Sequence, residues 1–239
     1  MADNEDQRLA YLEAMDIQPW VRRDGAVAAG SAGAGSAQAP GAPYTAAAAG
    51  GDIAHLDWET LRATVLACTR CELSKHRTQA VFGVGDREAQ WLIIGEAPGA
   101  DEDRLGEPFV GPAGKLLNNM LLAIGLKREE VYIANIVKCR PPNNREPAPE
   151  EALACAPYLA RQIALIKPKI ILAVGRIAAQ TLLKSDRPVG TLRGKRFYYD
   201  GSGIPIVVTY HPAYLLRSPQ EKRKAWQDLR FAKETFSSL

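Results

Sequence analysis

Four short stretches of the chain are almost continuously apolar: Trp91–Ile94, Val131–Val137, Ile170–Val174 and Ile206–Tyr210. They are rich in β-branched residues and too short for helices. Between them the apolar residues fall at helical spacing, over about Pro112–Ile124, Pro149–Ile166 and Arg176–Lys184. A last helix runs from Ser218 or Pro219 to about Phe236. Strands without polar alternation are buried on both faces, so the pattern predicts a parallel sheet covered by helices on each side. The expected class is α/β, a three-layer α/β/α domain around a central four-stranded, mainly parallel sheet. Phe197-Tyr198-Tyr199 before Asp200-Gly201-Ser202-Gly203 predicts a hairpin leading into the fourth strand. Asp57 is placed to cap a helix through Leu61, Val65 and Leu66.

Upstream of Asp57 the pattern changes. Residues 7–20 place Leu9, Leu12 and Met15 at helical spacing, with Ile17 and Trp20 after them. Gly25 to Gly51 is almost entirely Ala, Gly, Ser and Pro, a composition that cannot bury a core. Three parts are expected: a short helical segment over 1–24, a flexible linker over 25–51 and a folded domain over 52–239. The tethered helix either docks back on the domain or binds a protein partner.

Charge adds little. The net charge is +3. Residues 1–51 carry Arg8, Arg22 and Arg23 against Asp3, Glu5, Asp6, Glu13, Asp16 and Asp24, so the folded part is the more basic. That suits a polyanion partner without identifying one. No apolar run reaches membrane-spanning length, and no membrane role is expected. The acidic N-terminus lacks a basic start followed by an apolar stretch, so the expected location is cytoplasmic, at the nucleoid in a prokaryote.

Candidate chemistry collects at the strand ends. Glu96 follows the first strand, Asn135 lies near the end of the second, Gly175 follows the third and His211 the fourth. Open α/β sheets bind ligands outside the carboxyl ends of their strands, so these residues converge on one rim. The connection from Gly95 to Gly111 is too long for an ordinary turn and holds several carboxylates and the lone aromatic Phe109. The four cysteines are spaced as Cys68-Thr69-Arg70-Cys71, then Cys139 on a strand end, then Cys155 in a helix. An intracellular chain disfavours disulfides, which leaves a tetrathiolate site for zinc or for an iron–sulfur cluster. Neither G-x-x-x-x-G-K-[ST] nor G-x-G-x-x-G occurs, which argues against a nucleotide-binding protein.

Gly95-Glu96-Ala97-Pro98-Gly99, followed by Pro108-Phe109-Val110-Gly111, resembles the first motif of the uracil-DNA glycosylase superfamily, in its family 4 iron–sulfur form. His211-Pro212-Ala213 resembles the second motif. Together with the cysteines, the resemblance spans about residues 57–239. It implies a monofunctional hydrolase of the N-glycosidic bond to uracil in DNA, single- or double-stranded, acting as a monomer in base-excision repair. It implies that Cys68, Cys71, Cys139 and Cys155 hold a [4Fe–4S] cluster. Phe109 would stack on the flipped base, within a pocket shaped by Gly95 and Ala97. Asn135 would read uracil O4 and N3–H with one amide. His211 would donate to uracil O2 as charge develops there. Ala97 stands where the best-known family has an Asp, and the resemblance implies for Glu96 the role either of orienting the water or of opposing the oxocarbenium-like sugar. Glu102 would fill space near uracil C5, while Asp101 and Asp103 read as solvated or helix-directing charges. Tyr214-Leu215-Leu216-Arg217 resembles the loop that enters the minor groove, with Leu215 and Leu216 as wedge and Arg217 beside them. Lys222, Arg223, Lys224 and the glycine-flanked stretches Gly83–Gly85 and Gly190–Gly194 are candidate phosphate contacts. The alternatives are a non-catalytic uracil-DNA binder of the same fold and a sister enzyme that traps uracil covalently through a histidine. Arg140–Pro147 contains no histidine, which argues against the second.

Overall fold

The computed structural model describes residues 53–239. The expected helix over 7–20 and linker over 25–51 lie outside the described residues. The chain opens with α1 (Trp58–Leu66), then β1 (Val84–Gly85), β2 (Trp91–Gly95), α2 (Ala100–Leu105), α3 (Pro112–Ala123) and β3 (Tyr132–Asn135). It continues through α4 (Pro149–Ile166), β4 (Ile170–Val174), α5 (Arg176–Leu183), α6 (Val189–Leu192) and β5 (Arg196–Tyr198). It closes with β6 (Pro205–Thr209), α7 (Pro212–Arg217) and α8 (Lys222–Ser237). None of the described helices is long and apolar enough to cross a membrane.

The sheet has six strands in the order β1-β3-β2-β4-β6-β5. The inner four, β3-β2-β4-β6, are parallel. Two antiparallel strands, β1 and β5, were not in the expected count of four and cover the edges. A two-residue strand such as Val84–Gly85 is too short to carry a period, and β5 is the first arm of the expected hairpin. Register keeps the inner strands level. Ile94 pairs with Ala134 on one side and Ala173 on the other, and Ala173 pairs with Val208. The carboxyl ends therefore finish at one rim.

Side chains alternate across this sheet and build two cores. On one face Leu92, Ile94, Ala134, Ile171, Ala173, Ile206 and Val208 pack with Leu61 and Val65 of α1, Leu159 and Ile163 of α4, and Ala178 and Leu182 of α5. On the other, Trp91, Ile93, Ile133, Leu172 and Val207 pack with Leu117 and Met120 of α3, Leu215 of α7 and Leu229 of α8. This is the three-layer arrangement the apolar pattern implies. Asp57 caps α1 as expected, accepting from the Thr60 amide at 2.8 Å. Among the boundaries that shift, one bears on the site: β3 ends at Asn135, so Cys139 lies beyond the strand and not at its end. Ile136 and Val137 still donate to the carbonyls of Gly95 and Glu96 at 2.9 and 3.2 Å before the chain turns away.

Candidate active site

A cleft of about 780 Å³ opens at the carboxyl rim. Glu96, Ala97, Glu102, Phe109, Asn135, His211 and Arg217 line it together, although they span most of the folded sequence. The sequence reading missed several of its walls. Pro141, Arg145 and Glu146 come from the loop before α4, Arg176 from the start of α5, Val189 from α6, and Tyr210 precedes the histidine, while Tyr214 of the expected minor-groove loop lines the cleft as well. The strand-end positions of Arg176 and Tyr210 were the signals available for those two. The 141–146 loop has no such marker.

Asn135 is 2% exposed. Its Oδ1 is buried and has no hydrogen-bond partner among the described residues. Gly95, paired with it across the sheet, makes this close quarter feasible. A Cβ at Gly95 would fall 2.5 Å from that Oδ1 and 2.6 Å from the Phe109 ring. Gly95 therefore bounds the pocket by lacking a side chain.

Phe109 is a non-glycine residue with φ of 55°. Such backbone is costly and persists where its surroundings impose it. Gly114 leaves room beneath it, since a Cβ there would sit 1.8 Å from the Phe109 carbonyl oxygen. Arg128 grips it from outside. Its guanidinium donates to the carbonyls of Pro108 at 2.5 Å and Phe109 at 3.2 Å and to Asn118 Oδ1 at 3.2 Å. Burial lowers the Arg128 pKa, opposed by the nearby carboxylates of Glu107 and Glu102. The Phe109 ring lies over the His211 ring with centroids 5.5 Å apart and planes 29° apart.

His211 caps α7. Its Nδ1 accepts from the Ala213 amide at 3.1 Å. The proton of the neutral ring is thereby assigned to Nε2. Burial, reinforced by Arg217 and opposed by Glu102, lowers the ring's pKa to about 4, so it is neutral around pH 7. Glu96 moves the other way. Burial raises its pKa to about 7, Glu146 adds to the rise and Arg176 opposes it. Glu146 and Arg176 form an ion pair across the cleft mouth.

Two expected roles change and a third residue gains a part. Leu215 is 1% exposed and sits in the core beneath α7, so it cannot serve as a wedge. The helix turns Leu216 outward instead, at 45% exposure, beside Tyr214 at 37%. Glu102 lines the cleft, but both oxygens are taken by backbone. One accepts from Gly99 at 3.0 Å and the other from Val110 at 3.0 Å and Gly111 at 3.2 Å. It ties the two halves of the first motif together from the wall of the cleft, a holding role beside the space-filling one expected of it. Asp103 is buried, not solvated, and accepts from the amides of Thr78 at 2.9 Å and Gln79 at 3.4 Å. Among the phosphate candidates, Arg193 is committed to the buried Asp228 at 2.7 Å and Lys224 pairs with Glu221 at 2.8 Å.

A second, small cavity lies on the other side of the loop from Asn135 to Cys139. Cys68, Cys71, Cys139 and Cys155 all line it, with Arg70, Arg77 and Lys138. None is in a disulfide. Arg77 brackets the site, donating to Cys139 Sγ at 2.7 Å and to the Cys68 carbonyl at 2.8 Å. Burial raises the Cys155 pKa to about 12 and also raises that of Cys139. Among the described residues, no group of three or more His, Cys, Asp or Glu is arranged as a metal-ion site. Lys138 is fully buried beside this cavity. Its Nζ donates to the Asn135 carbonyl at 3.0 Å and to Gln162 Oε1 at 2.6 Å.

A level parallel sheet, a neutral histidine at its last inner strand, an orphaned asparagine and a held aromatic define a class. Residues 82–230 match the family model of the Uracil DNA glycosylase superfamily, and the chain belongs to that superfamily. Within it the chain falls with the type-4 enzymes. It is 44% identical to the type-4 uracil-DNA glycosylase of Archaeoglobus fulgidus over 172 residues, 70% of this chain and 86% of the relative. It is 47% identical to that of Saccharolobus solfataricus over 181 residues, 73% and 84% of the two chains. The type-5 enzyme of Thermus thermophilus is 33% identical over 171 residues, 65% and 75% of the two chains.

Proposed function

We propose that the chain is a uracil-DNA glycosylase that hydrolyses the bond between uracil and deoxyribose and leaves an abasic site. The observation that carries this is the orphaned Oδ1 of Asn135. A buried polar atom without a partner is expensive, and it becomes satisfied when a ligand donates to it. Uracil N3–H is such a donor, and the amide's own N–H₂ then meets O4. Phe109 offers a face for the extruded base. His211 is held as the neutral tautomer whose Nε2–H can donate to O2 as the bond breaks. A donor already oriented toward developing charge requires no reorganisation at the moment of reaction. Glu96, when ionised, orients the water or faces the positive sugar. Glu102 keeps the loop that carries Phe109 in place. Leu216 and Tyr214, with Arg217 at the cleft edge, form the surface that meets the strand around the extruded nucleotide.

The cysteines fit a [4Fe–4S] cluster. Four thiols that line one cavity suit a thiolate-bound polynuclear group, and Arg77 and Lys138 supply positive charge beside them. Bound there, the cluster supplies four strong covalent links between the segment after α1, the loop after β3 and helix α4. The rival reading, a binder without turnover, gives no reason for a histidine poised as a donor.

Single-turnover excision on oligonucleotides containing U:G or C:G, resolved after alkali, tests the reading. Asn135→Asp replaces the donor facing O4 by an acceptor, so uracil excision falls by about three orders of magnitude, as for other mispaired buried polar edges. An Asp variant that removes uracil as fast as the parent, or a parent that removes none, overturns the assignment.

A further inference from the structure

Arg128 has no part in the chemistry just described, yet it is a half-buried guanidinium with two hydrogen bonds to one loop and a third to the helix that follows it. It comes from the short turn Arg128–Glu130, ahead of β3 and outside the motifs. Two of its acceptors are consecutive main-chain carbonyls, those of Pro108 and Phe109, at 2.5 and 3.2 Å. The third, Asn118 Oδ1 at 3.2 Å, belongs to α3, which the loop leads into. The residue it holds, Phe109, has left-handed backbone without being glycine, with φ of 55°. Glu102 holds the following amides, Val110 and Gly111, from the opposite side. The strained residue is therefore gripped through its carbonyl by a cation and through the next two N–H groups by an anion.

We propose that Arg128 is the positioning residue for the base-stacking ring: its planar fork imposes the turn that lays Phe109 over the pocket floor and against His211. This rests on the functional reading above. Relaxed to an ordinary backbone conformation, Phe109 would point its Cα–Cβ bond elsewhere and the stacking face would leave the site. A forked donor is required because two neighbouring carbonyls must be engaged from one direction. The ammonium of lysine keeps the charge but not the planar geometry.

Two measurements separate this from general structural support. The first needs no turnover. The chain has three histidines, so the His211 ring protons can be assigned by NMR. The Phe109 ring current displaces them in the parent. Arg128→Ala and Arg128→Lys should both bring them back toward the values of an unstacked histidine, and millimolar guanidinium should restore the displacement in Arg128→Ala. The second is a double-mutant cycle in uracil excision. Arg128→Ala and Phe109→Ala should each raise KM by about tenfold or more with a smaller change in kcat, and the double variant should be about as impaired as Phe109→Ala alone. Unmoved His211 signals in both Arg128 variants overturn the proposal, as do fully additive losses. A parent protein that excises no uracil while the His211 signals move as stated would overturn the functional reading and leave the positioning role standing.

Discussion

His211 spends one ring nitrogen on the helix that follows it, and that choice decides what the other can do. With Nδ1 accepting from Ala213, the neutral ring has only its Nε2–H to offer. A pKa of about 4 keeps it so across the working range. Glu96 is buried too, and because burial penalises the charged form its pKa moves the other way, to about 7. The two predict a pH profile with a single acid limb. The logarithm of kcat/KM for uracil excision should rise with pH up to about 7, as Glu96 loses its proton, and stay level above. No limb from His211 belongs above about pH 4. Glu146→Gln removes the like charge that raises the Glu96 pKa, so the limb should move to lower pH. An unmoved midpoint in that variant would detach Glu146 from Glu96. The same sign governs stability. A carboxyl whose folded pKa is raised favours the folded state when protonated, and this contribution is lost as pH rises from the ordinary carboxylate range through about 7.

At the scale of elements, the first motif is a strand, a loop and a helix whose geometry is set by absent side chains as much as present ones. Gly114, in the first turn of α3, illustrates it. Alanine has the higher helix propensity, and at an exposed helical site the change would stabilise. Here the added methyl would overlap the Phe109 carbonyl, 1.8 Å away on the backbone. Gly114→Ala should therefore cost at least about tenfold in excision, read as a higher KM, while circular dichroism retains the helix content. Equal activity would mean the loop can shift without moving its ring. This motif also shows what sequence can and cannot disclose. The four inner strands, the hairpin and α4 were legible because burial on two faces leaves an uninterrupted apolar run and helices leave a period. Glu96, Asn135 and His211 were legible because each is a polar residue near or just past the end of such a run, within or beside the motifs that carry the resemblance. Leu215 was misread because a tetrapeptide resemblance carries no face: α7 is one short helix, and its phase turns Leu215 inward and Leu216 outward. Asp103 was misread, and the holding role of Glu102 went unseen, because their partners are backbone amides, which have no letter in the sequence. Arg128 was missed for the same reason.

For the whole molecule, the two cavities share a wall. The chain from Asn135 to Cys139 has the base pocket at one end and a cysteine at the other, and buried Lys138 ties Asn135 to Gln162 of α4, the helix that carries Cys155. Protein purified without oxygen should be brown, with iron and acid-labile sulfide in equal amounts. Chelation under oxidising conditions should lower the midpoint of thermal unfolding and weaken uracil-DNA binding together, because one segment serves both sites. A colourless protein with stoichiometric zinc would replace the cluster by a single ion and leave the cleft untouched.

The hairpin between β5 and β6 has a different use. Because β6 runs toward the cleft, the turn over residues 199–204, closed by the Tyr199 amide on the Ile204 carbonyl at 2.9 Å, lies at the opposite rim. Side chains added at Gly201 or Gly203 would meet nothing within 4 Å. A fluorophore, an affinity tag or a tether to a glass surface placed in that turn would leave the protein facing outward with its cleft toward the solution. Single molecules could then be watched scanning DNA from a fixed and known orientation.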